Sequence, residues 1–130
     1  MKKILSILLL LFFACSVISQ QWKAAGDKIK TIWANEVKAS ATLPEYPRPG
    51  MVREAWKNLH GLWDYKILPR GHAIPGTYDG KILVPFPVES SLSGVQKIVG
   101  DNKELWYHTT FEIPEGWKGK SILLNFGGVD

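Results

Sequence analysis

The chain has 130 residues, 45% of them hydrophobic, with six tryptophans, a single cysteine and a formal net charge of +4. Without the N-terminal pair Lys2 and Lys3, fourteen basic residues face twelve acidic ones, scattered among each other. No Lys/Arg cluster suited to a phosphate backbone remains, which excludes a nucleic-acid partner, and one cysteine excludes a disulfide framework.

Lys2 and Lys3 precede an almost wholly apolar run over residues 4–14, too short to span a bilayer as a helix. The pattern predicts a signal peptide over residues 1–19. Val17 and Ser19 are the small residues at −3 and −1 of a cleavage before Gln20. The alternative is a lipoprotein signal with Cys15 acylated, which Phe12 and Phe13 fit poorly. The expected location is secreted or periplasmic, or the outer membrane through Cys15, with no membrane span.

Residues 20–50 read as an N-terminal arm. Ile29, Ile32, Trp33 and Val37 recur at roughly helical spacing, which predicts a short helix over 32–38 with Thr31 as N-cap. Trp22 and Trp33 are costly to leave in water, so the arm is expected to pack on the main domain. Residues 44–50 carry three prolines and are expected to be extended or turn-like. One or two helical turns are predicted within 51–59, with Trp56 and Leu59 as the apolar side.

Strands follow. Residues 62–68 place Trp63, Tyr65 and Ile67 on one face and Asp64 and Lys66 on the other. After a turn at Asp79-Gly80, residues 81–84 are nearly all apolar, which predicts a central strand. Pro85 and Pro87 then stop the ladder and open a polar loop, anchored by Leu92, Val95, Ile98 and Val99. Residues 104–113 make the longest alternating run, ended by Pro114. A compact turn over 115–120 leads to a fourth strand over 121–126, with Ile122, Leu124 and Phe126 inward. Strands without intervening long helices predict an all-β protein, a sandwich or jelly roll. The last strand lacks a closing partner, so an incomplete sandwich over residues 51–130, the front of a larger protein, is expected.

No catalytic set can be assembled from spacing. His60, His72 and His108 stand apart, so no metal site is expected, and neither a phosphate loop nor a nucleophile elbow occurs. Most carboxylates have local explanations: Asp79 at its turn, Asp64 and Glu112 on polar faces. Glu89 does not, because it follows the stiff Pro85-Phe86-Pro87 segment at the mouth of the loop. Trp106, Trp117 and Tyr78 are the aromatic rings within reach of a stacked sugar, although large aromatics more often fill cores.

Four pieces of the chain carry a family resemblance. They are Pro44-Glu45-Tyr46-Pro47-Arg48-Pro49 with Met51-Val52-Arg53 and Trp56; Asn58-Leu59-His60-Gly61-Leu62-Trp63-Asp64-Tyr65; the stretch from Tyr78 through Val84-Pro85-Phe86-Pro87-Val88-Glu89-Ser90; and Leu105-Trp106-Tyr107 with Phe111, Ile113-Pro114, Trp117-Lys118-Gly119-Lys120 and Phe126-Gly127-Gly128-Val129-Asp130. In this order they resemble the N-terminal region of glycoside hydrolase family 2, the β-galactosidase and β-glucuronidase type, closest to secreted Bacteroidetes members. His60 stands where relatives often have Asn, and His108-Thr109 where a basic residue is usual.

The resemblance implies a galactose-binding-like jelly roll, truncated here, ahead of an immunoglobulin-like domain and a catalytic barrel. Family members are retaining β-glycosidases whose two glutamates lie in the barrel, so no residue of this chain is expected to be catalytic. No cofactor is implied. The expected partners are a β-linked glycan and the downstream catalytic domain. The loop over 87–103 is where the resemblance points for substrate contact, with Glu89, Ser90 and Gln96 as candidates. A stand-alone carbohydrate-binding module and a purely structural sandwich are the alternatives.

Overall fold

The structure, a computed structural model, describes residues 22–44 and 54–127. The leader with Cys15, most of the proline-rich segment, Met51 and the terminal Val129-Asp130 lie outside the described residues.

Alternation at Trp63, Tyr65 and Ile67 produces strand β1, Gly61–Pro69, two residues longer than its apolar pattern requires. β2 is Gly80–Val84 and β3 is Lys103–His108. All pairings are antiparallel in the order β2-β1-β3, so the protein is all-β around a small antiparallel sheet. Asp64 is the hinge of the register, opposite Lys81 on one side and His108 on the other.

Opposed residues share a face. Trp63, Tyr65 and Ile67 therefore lie with Ile82 and Leu105, and Val88, Val95 and Val99 of the loop close over them as the core. The other face carries Asp64, Lys66, Lys81, Trp106 and His108.

The strand expectations are corrected at three places. The apolar run 81–84 is not central: β1 is, and β2 lies at the side of the sheet. Its apolar character arises because Ile82 and Leu83, on opposite faces, are both fully buried. The third strand ends at His108 instead of reaching 113, and residues 121–126 form no strand. Phe111, Ile113, Ile122, Leu124 and Phe126 are all exposed, because alternation marks a strand face but supplies no partner for it.

The arm helix is the 3-10 helix Ile32–Glu36, with Thr31 at the N-cap position but no side-chain cap bond. Trp33 points to solvent, 62% exposed, against the expectation that it packs. Trp22 does pack, against Gly94. Residues 54–59 contain no helix.

Candidate functional site

The loop after β2 is built from short hydroxyl side chains that supply their own backbone partners. A 3-10 helix, Ser91–Ser93, starts at Ser90, whose Oγ accepts from the Ser93 amide at 3.1 Å. It ends at Gly94, whose φ of 81° lies in the left-handed region that favours glycine. Ser93 is fully buried. Its Oγ donates toward the Ser90 and Val88 carbonyls, at 2.8 and 3.1 Å, and accepts from the amides of Val95 and Gln96, at 3.0 and 3.3 Å.

The arm clasps this loop. The Ala25 amide donates to the Ser91 carbonyl at 2.9 Å, and Ser91 Oγ donates back to the Ala25 carbonyl. Lys28 Nζ donates to the Glu89 carbonyl at 3.2 Å. Gly94 and Gly26 are the points of closest approach. A Cβ on Gly94 would lie 3.0 Å from Trp22 Nε1, and one on Gly26 would overlap Gln96 Oε1.

The three sequence candidates thus border one short turn but differ in what they do there. Ser90 is taken up as a cap. Gln96, with a φ of 54°, lays its amide against Gly26 of the arm. Glu89 keeps its side chain exposed, and its charge is felt by Tyr107. Burial first, and then the Glu89 carboxylate, hold the Tyr107 phenol above its ordinary range. The capping roles were open to detection from Ser90 four residues ahead of Gly94, a spacing that marks a short capped turn.

Sequence reasoning missed a second concavity. Continued past His108, the β1–β3 register would set Trp63 against Thr109 and Gly61 against Phe111. Instead the two chains splay around a cleft of about 620 Å³, walled by Lys57–Trp63 residues on one side and residues 109–112 on the other. Its side-chain polar groups largely serve nearby backbone. Asn58 Oδ1 accepts from the His60 amide at 2.8 Å, and Trp63 Nε1 donates to the Leu59 carbonyl at 2.8 Å. Lys57 Nζ crosses the cleft to the Glu112 carbonyl at 2.7 Å. It is an unzipped ladder more than a shaped pocket.

On the polar face, Asp64 Oδ1 pairs with Lys81 Nζ at 2.7 Å, and Asp64 Oδ2 lies 3.5 Å from His108 Nδ1. Asp79 does the same for Lys66, at 2.7 Å, and also accepts from the Ile67 amide at 3.3 Å. Tyr78 stacks on His108 with ring centroids 5.0 Å apart and planes 18° from parallel. Among the described residues no group of three or more His, Cys, Asp or Glu is placed to hold a metal ion.

No protein-family model matches the chain. The chain is similar to a beta-glucuronidase of Paenibacillus borealis, at 27% identity over 93 residues. The match takes in 65% of this chain and 15% of that protein, so the chain spans a small fraction of the relative's length. The relationship shown is a distant one to a beta-glucuronidase.

Proposed function

We propose that the chain is the N-terminal, non-catalytic part of a secreted family 2 β-glycosidase, and that its sheet and loop position a β-linked glycan for a catalytic domain elsewhere in the same polypeptide. The observation that carries this reading is the beta-glucuronidase match, spread over 65% of this chain but only 15% of that relative. The all-β fold agrees with it. Among Glu89, Ser90 and Gln96, Glu89 is the side chain left available to a ligand, since the other two serve the turn and the arm. On this reading residues 1–19 direct export, residues 20–50 are the clasping arm, and residues 51–130 belong to the sugar-positioning domain.

The test is made on the native product, captured with an antibody against residues 54–127. A product several times heavier than this chain that hydrolyses a β-glycoside supports the proposal. A stable product of this chain's size without hydrolytic activity overturns it. In the heavier product, Glu89→Ala is expected to raise KM several-fold with kcat unchanged, the signature of lost ground-state binding. Unchanged KM removes Glu89 from the site.

A further inference from the structure

The polar face of the sheet holds a constellation that the loop does not explain. Asp64 of β1, Lys81 of β2 and His108 of β3 stand in one cross-strand row, because the register sets Asp64 opposite both of the others. Strands, not loops, hold all three. Tyr78, from the segment leading into β2, lies parallel on His108 at 5.0 Å. In a stacked pair each ring covers one face of the other. His108 nevertheless keeps 46% of its side chain in solvent, so the pair is reached from the surface.

We propose that the Tyr78–His108 stack, flanked by Asp64 and Lys81, is a platform that binds neutral polysaccharide by stacking a pyranose ring on the aromatic surface. A pyranose presents a face of C–H groups, which is attracted to an aromatic π face, and a rim of hydroxyls that both donate and accept. Asp64 supplies fixed acceptors within one residue of the stack, and Lys81 supplies a donor beside them. Lys81 holds the Asp64 carboxyl below the usual carboxylate range, so those acceptors stay ionised at any neutral pH.

Charge decides the class of ligand. The cations on this face, Lys81 and Lys66, are already paired with Asp64 and Asp79 at 2.7 Å each. A uronate chain or a nucleic acid would meet two carboxylates whose lysine partners are already engaged. A neutral glycan meets a balanced surface. The inference takes from the proposed function only that the ligand is a carbohydrate. It concerns the opposite face of the sheet from the core that the loop covers.

The test is a titration of the full chain, followed by amide NMR, with cellopentaose as the neutral probe and tetragalacturonate as the charged one. The expected result is a response to cellopentaose alone, centred on Tyr78, Asp64, Lys81 and His108. Tyr78→Ser is expected to weaken binding roughly tenfold and Tyr78→Phe to change it by less than about twofold. The proposal is overturned if wild type does not respond, if the shifts gather at the loop or the cleft, or if Tyr78→Ser binds as wild type. Because the titration needs no turnover, a failure here leaves the glycosidase reading to its own test. Loss of that reading, likewise, leaves the titration result standing.

Discussion

Ser93 has no surface in water, yet its hydroxyl serves two carbonyls and two amides of the same loop. Removing it strands several buried backbone groups at once, so Ser93→Ala is expected to cost about 1–3 kcal/mol, read as a lower urea midpoint at unchanged slope. At Gly94 any side chain meets both a left-handed backbone and the Trp22 indole. Gly94→Val should therefore loosen the arm more than Gly71→Val, where a Cβ meets open space although φ is also positive. Asp64 sets an acid limit. Its hydrogen bond to Lys81, and then His108, depress the carboxyl pKa in the folded state against the cost of desolvation. The stability it contributes is present above the unfolded carboxylate value and lost as pH falls through the lowered folded one. Asp64→Asn should flatten the fall in urea midpoint below about pH 4, and an unchanged acid profile would refute this.

Elements differ in how far their residues announce them. Trp63, Tyr65 and Ile67 disclose β1 and its buried face because alternation and burial coincide there. Ile82 and Leu83 disclose β2 as buried on both sides, but not its place at the side of the sheet, since burial on two faces has sources other than flanking strands. Ile82→Ala, at a fully buried position, is expected to cost about 2–5 kcal/mol in chemical denaturation. Residues 109–126 mislead for a physical reason: strand formation needs a partner's hydrogen bonds, and a pattern of side chains contains none. The candidate site shows the same divide. Glu89 was legible because nothing near it in sequence explains its charge, and it stays exposed. The roles of Ser90 and Gln96 depend on the turn and on an arm some seventy residues away. The arm makes its own prediction. Deleting residues 22–28 should speed amide hydrogen exchange over residues 88–97 while β1 and β3 stay protected, and uniform protection would show that the clasp orders nothing.

Across the whole molecule, apolar surface is unevenly spent. The core face of the sheet is covered, while Phe111, Ile113, Ile122, Leu123, Leu124 and Phe126 stand in solvent within sixteen residues of one another. Six large apolar side chains left in water on one segment favour association with another apolar surface. The isolated chain is expected to bind a hydrophobic dye and to self-associate at micromolar concentration. Leu123→Lys with Phe126→Lys should shift its size-exclusion elution toward the monomer. Elution unchanged by both charges would place the association elsewhere.

The strand order β2-β1-β3 also bears on how the protein is made. β1 is the middle strand but the earliest to leave the ribosome, so it emerges with both edges open. Its pairing with β2 closes one edge soon afterwards. The other waits until Lys103–His108 has been synthesised, an interval on the order of seconds at ordinary translation rates. An open edge is a template for any other extended chain, including a neighbour on the same messenger. Translation speed between Val84 and Lys103 thus becomes a property that this fold is sensitive to. Slow synonymous codons in that interval should lower the soluble yield, and fast ones should raise it, with no change in the amino acids made.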